Sequence, residues 1–130
     1  MITEFIYEGA LRLLSESTDV GENTDYRDKA PYILGAFCSQ TRGVDTAARR
    51  LKGADASRNS DIAYLSLDAE FPLLEDFVPA AELYLAAMLV IDYDAPLYER
   101  LFERYCDHIS TVCSSIAPIS EKTVNKYFAD

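Results

Sequence analysis

The stretch Glu75-Asp-Phe-Val-Pro-Ala-Ala-Glu-Leu-Tyr-Leu-Ala-Ala-Met-Leu-Val-Ile91 decides the fold. Pro79 falls in its first turn, where a missing N–H costs nothing. From Ala80 to Ile91 the one charged residue is Glu82, and almost no polar face is left. A helix that is apolar all round is buried on all sides, so this run predicts the central helix, over about 75–91. Glu75 and Asp76 supply first-turn negative charge, which suits the positive end of the helix dipole. Ala80, Ala81, Ala86 and Ala87 are small enough for neighbouring helices to approach closely.

Working outward, Asp92-Tyr-Asp-Ala-Pro96 ends this helix and starts the next, with Asp94 as N-cap and Pro96 near the first turn. Leu97, Leu101, Tyr105, Ile109, Val112 and Ile116 form its core stripe, widened by Phe102, Cys106 and Cys113. Arg100 with Glu103 and Arg104 with Asp107 are i, i+3 pairs on the wet face, worth a few tenths of a kcal/mol each. Pro118 is the expected stop, and Ser120–Asp130 reads either as a short helix or as an extended arm. On the other side, Ile62-Ala-Tyr-Leu-Ser-Leu67 is the best strand candidate, with Ile62, Tyr64 and Ser66 facing one way and Ala63, Leu65 and Leu67 the other. A lone strand is not stable by itself, so it lies on the helices, pairs with a partner strand, or completes a sheet in an oligomer.

The N-terminal half reads as two further helices. Thr3 can cap the first, over 3–16, with Ile2, Phe5, Ile6, Ala10, Leu13 and Leu14 at helical spacing. Ser15–Thr24 is polar and reads as a loop. Tyr26, Ala30, Ile33, Leu34, Phe37, Cys38 and Thr41 predict a second helix over about 25–41, beginning at or kinked by Pro31 and ended by Gly43 as its C′ residue. Val44–Leu51 allows two turns more, and Gly53–Asp61 has no hydrophobic anchor and reads as a loop. The fold class is therefore mainly α. It is a four-helix bundle, five if the tail adds one, with a long loop and a short extended β segment between helices two and three, all in one domain over 1–130.

The chain has 130 residues, 49% of them hydrophobic, with mean hydropathy −0.07. At this size folding buries roughly 65–70% of the unfolded surface, enough for a core without metals or disulfides. No apolar run reaches the roughly 18 residues that a membrane span needs. Met1–Glu8 has no basic region and no small-residue cleavage site, so no signal peptide is expected. Cys38, Cys106 and Cys113 are odd in number and form no CxxC pair, which argues for reduced thiols in a cytoplasmic setting and for core packing.

The formal net charge is −10 and the pI is near 4.4, which disfavours generic nucleic-acid binding. The charge is uneven. Arg42, Arg49, Arg50, Lys52 and Arg58 face only Asp45 and Asp55 between residues 42 and 58, so this segment carries about +3 and the rest about −13. It reads as a solvated loop or as a contact for an acidic partner surface or DNA phosphates.

Other chemistry is sparse. His108 is the single histidine, and Cys106-x-His108 does not place two ligands on one helical face, so no metal or cofactor is implied. Cys38 lies on the apolar stripe, where a thiol is inert. Asp92 with Asp94, and Glu75 with Asp76, sit at helix boundaries and read as caps. Glu82 interrupts a buried helix, so it pairs with an arginine or faces a subunit boundary. No glycine pattern fits a phosphate-binding loop. The nine tyrosines read as amphipathic residues at the core edge. The chain shows no set of nucleophile, base and orienting group, so it reads as no enzyme and as taking no small-molecule substrate.

Tyr64-Leu-Ser-Leu-Asp-Ala-Glu-Phe-Pro-Leu-Leu-Glu-Asp-Phe-Val-Pro-Ala-Ala-Glu-Leu-Tyr-Leu-Ala-Ala-Met-Leu-Val-Ile-Asp92 resembles bacteriophage head-to-tail connector (adaptor) proteins. In these an extended segment leads into an apolar helix and then a second long helix. Asp28-Lys-Ala-Pro-Tyr-Ile-Leu-Gly-Ala-Phe-Cys38 looks like the same type of protein from phages or prophages of Gram-positive bacteria. The resemblance covers about half the chain and rests on hydrophobic pattern and a few Pro, Tyr and Ala positions. It implies a helical protomer that forms a homo-oligomeric ring between portal and tail proteins, present in the host cytoplasm and then in the virion. DNA would be touched only as a channel lining, with the basic segment docking on the portal or lining a constriction. It brings no catalytic residues. The alternative reading is a cytoplasmic helical adaptor or regulator for one protein partner.

Overall fold

Among the described residues three helices pack around the apolar one. In this computed structural model residues 1–14, 24–53 and 63–128 are described: α1 is Thr3–Leu13, α2 is Thr24–Lys52, α3 is Val78–Val90 and α4 is Ala95–Phe128. The chain is mainly helical, and no named strand occurs among the described residues. Of the expected loops over 15–24 and 53–61, all but Thr24 and Gly53 lie outside them, as do Arg58 and Ile62; Thr24 is instead the first residue of α2.

The central role of α3 holds. It packs against α1, α2 and α4, and Ala80, Ala81, Leu83, Leu85, Ala86, Ala87, Leu89 and Val90 are all buried. A 3-10 turn over Glu75–Phe77 precedes it, so the α-helix proper starts three residues later than the sequence pattern suggests. Phe77 is fully buried there and anchors the turn. The aromatic rings of Phe37, Tyr84 and Tyr105 meet with centroids 5.2–6.3 Å apart, tying α2, α3 and α4 together at one level.

The second helix departs from its predicted bounds. It is one element of 29 residues that runs through both Pro31 and Gly43. Gly43 is exposed inside the helix and caps nothing. The terminator is Gly53, which takes φ +70 and donates its N–H to the Arg50 carbonyl at 3.3 Å. The physical reason is a buried stripe, Tyr26, Ala30, Leu34, Phe37, Cys38, Thr41, Asp45 and Ala48, that passes Gly43 without a break. Burying that stripe outweighs the roughly 1 kcal/mol that an interior glycine costs.

Residues 63–74 cross the bundle as an extended strap. Leu65, Leu67, Phe71 and Leu73 are buried while Tyr64, Asp68 and Glu70 face out. The alternation read from the sequence holds for Tyr64, Leu65 and Leu67, whereas Ala63, expected on the buried side, is exposed at the start of the strap. The strap lies on the helices, the first of the three options above. Its carbonyls take the orphan N–H groups at the start of α1: Thr3 N donates to Ala69 O and Glu4 N to Leu67 O, both at 2.9 Å. Thr3 is therefore not the N-cap. It is the first helical residue, and its hydroxyl donates to Ala69 O at 2.8 Å. A single antiparallel bridge joins Ile2 to Glu70, and Leu65 N donates to Pro31 O at 2.9 Å. Gly35 makes that approach possible, since a Cβ there would lie 2.7 Å from the Ala63 carbonyl.

Asp94 caps α4 as expected, accepting from Leu97 N at 3.1 Å. The helix does not stop at Pro118 but continues to Phe128. Proline inside a helix forfeits one backbone bond and crowds the carbonyl four residues before it, at about 3 kcal/mol, and the helix runs through it all the same. Cys106, placed in the core by spacing, is exposed, lying off the face of α4 that meets α3 and α2 through Leu101 and Tyr105.

Candidate interaction surface

The basic segment is mostly helix, not loop. Arg42, Arg49, Arg50 and Lys52 occupy the last three turns of α2, with lysine and arginine favourably placed at its negative end. Asp45, on the buried stripe of the same turns, is fully buried. Its Oδ1 accepts from Leu74 N at 2.9 Å and its Oδ2 accepts from Arg49 Nε at 2.8 Å. Arg49 Nη2 then donates to Pro72 O at 2.8 Å. One turn further on, Lys52 Nζ meets the Asp76 carboxylate at 2.7 Å. Arg49 and Lys52 thus clasp the strap where it turns into α3, and Arg50 points to solvent beside them. The expected contact set therefore divides: two of its members hold the fold together.

The sequence reading gave Asp45 no role beyond its charge. Its position, four residues after Thr41 on the stripe and four before Arg49, is the signal that identifies it.

Glu82 faces α1. A Cβ at Gly9 would lie 1.6 Å from Glu82 Oε2, so the carboxylate rests directly on the α1 backbone. Burial pushes its carboxyl up from the usual range, with Arg12 as the opposing charge. Burial likewise pushes the Cys38 thiol up to about 12, aided by the nearby Asp45 carboxylate. A thiol so held is protonated and unreactive at neutral pH.

His108 lines a shallow groove of about 330 Å³ with Leu83, Arg104, Asp107 and Thr111, and its Nε2 is buried without a partner. No cluster of three or more His, Cys, Asp or Glu suited to a metal occurs among the described residues.

No family model, curated protein or solved structure matches this chain.

The outward surface holds a group of tyrosines that the sequence reading assigned to the core edge. Tyr32, Tyr64 and Tyr93 are 63%, 53% and 60% exposed. Tyr32 and Tyr64 meet edge to face with centroids 4.9 Å apart. Lys29 lies over the Tyr93 ring at 5.5 Å and Arg27 over the buried Tyr7 ring at 5.4 Å. Arg27 also donates to Glu4, which raises its own pKa. No described helix is long and apolar enough to cross a membrane.

Proposed function

We propose that this chain is a non-catalytic assembly protein of the phage head-to-tail connector kind, forming a ring between portal and tail proteins. The observation that carries the reading is the order of elements over 63–128. A strap with alternating buried residues leads through Pro72 into the apolar α3, and then into a second long helix. That order is the one the resemblance implies. At about 1.5 Å per residue, the 34 residues of α4 span about 51 Å and the 13 of α3 about 20 Å. Such an overhang gives a small bundle reach toward neighbouring subunits. A net charge of −10 suits a channel wall that does not grip DNA, with Arg50 and Arg42 as the basic contacts nearest the strap clasp.

A non-catalytic role is supported by a buried, protonated Cys38. The reading needs no cofactor, membrane or small substrate, and it places the protein in the host cytoplasm and then at the head–tail junction. The alternative, an adaptor for one protein partner, draws on the exposed Tyr32, Tyr64 and Tyr93.

The test is electron microscopy of the purified chain mixed with the portal protein encoded in the same genome. The reading expects a symmetric ring seated on the portal. Portal particles without added density, or a gene with no portal gene beside it, overturn it.

A further inference from the structure

The geometry points to the Tyr32–Tyr64 corner, with Asp28, as a docking site for an arginine side chain presented by a partner protein. The corner is built from residues far apart in sequence, and the fold fixes it firmly. Pro31 O accepts the Leu65 N–H at 2.9 Å on one side of Tyr64. On the other, Gly35 leaves a notch that only a bare backbone fits, with Tyr64 N 2.8 Å from where a Cβ would stand. Leu65 is buried beneath, so Tyr64 is held outward beside Tyr32. The two rings stand at 75°, making two walls of a corner whose outer surfaces are more than half exposed. Preorganised tyrosines of this kind bind at low entropic cost.

The chemistry of the rim selects the occupant. Asp28 is exposed and lies one turn before Tyr32 on the same helix face. On the strap, Glu70 is already engaged by the Met1 ammonium at 3.7 Å, so Asp28 is the carboxylate that serves the corner. A cation is favoured by this rim, and the −10 charge of the chain repels a phosphate-bearing occupant. The first turns of α2 already use the same mode twice: Arg27 covers Tyr7 and Lys29 covers Tyr93. Tyr32 and Tyr64 are the exposed pair that no described cation covers. Arginine fits better than lysine because its planar guanidinium stacks on a ring while its fork still reaches a carboxylate.

The experiment uses the full chain and two blocked tripeptides, glycine-arginine-glycine and glycine-lysine-glycine, followed through the ring signals of Tyr32 and Tyr64 by NMR. The arginine peptide should shift both rings saturably, with the lysine peptide several-fold weaker. Tyr64→Ala and Asp28→Asn, both at exposed positions, should each weaken the arginine peptide by about fivefold. Circular dichroism confirms that the variants stay folded. Equal response to the two peptides, an unchanged affinity in both variants, or no saturable shift overturns the assignment. The assay contains no portal or tail component, so its outcome is separate from that of the connector reading.

Discussion

Replacing Asp45 by alanine isolates the contact that joins α2 to the strap. Asp45 is 0% exposed, and the substitution removes two acceptors at once. Leu74 N loses its 2.9 Å partner, and a buried donor left unmade costs about 1–3 kcal/mol. Arg49, its side chain 18% exposed, loses the carboxylate at 2.8 Å and keeps its Pro72 bond. Breaking a buried ion pair from one side costs about 3–5 kcal/mol in all, so about 4 kcal/mol is expected for the two losses together. For 130 residues the unfolding entropy is about 0.27 kcal/mol/K, which converts that loss to a fall in Tm of about 15 °C. Thermal unfolding followed at 222 nm by circular dichroism reads it directly. Arg50→Gln, next to Arg49 in sequence but exposed, should move Tm by less than about 2 °C. A loss of under about 4 °C for Asp45→Ala would refute the clasp.

Other outcomes follow from the same packing. Gly35→Ala places a Cβ 2.7 Å from the Ala63 backbone, so it should destabilise by about 1–3 kcal/mol despite the helix propensity gained; a stabilised variant in urea unfolding would contradict it. Glu82→Gln should raise Tm at pH 7. Burial lifts the folded-state pKa of Glu82 above its unfolded value, so the penalty is absent below the unfolded pKa and complete above the folded one. The Tm difference between variant and parent should therefore shrink toward zero near pH 4, and a difference that grows on acidification would count against it. In a thiol titration of the native protein at pH 8, Cys106 should react quickly while Cys38, 2% exposed and pushed up to about 12, stays protected until the protein unfolds.

Where burial and local pattern agree, the sequence is easy to read. The apolar run of α3, the Asp94 cap and the in–out alternation of Leu65 and Leu67 all fall in this class, since each follows from a single periodicity or one side chain. The misread points are those where tertiary burial overrules a local signal. Gly43 and Pro31 carry strong breaking signals, yet the stripe from Tyr26 to Ala48 is buried across both, and α2 stays whole. Thr3 has the chemistry of a cap, but the strap already supplies the acceptors, so its hydroxyl turns to Ala69. Cys106 sits at core spacing on α4 but lies off the face that meets α3 and α2. The basic segment was visible as charge, whereas its division into Arg49 and Lys52 within the fold and Arg50 outside needed the positions of Leu74 and Asp76. The Tyr32–Tyr64 corner was hidden because it joins residues 32 apart in sequence through a glycine and a proline carbonyl.

The most direct measurement for the assembly role is imaging of portal particles incubated with the purified chain. The account predicts rotationally symmetric density, contributed by this chain, capping one end of the portal. Portal particles that remain bare at saturating concentrations of a folded chain would contradict it.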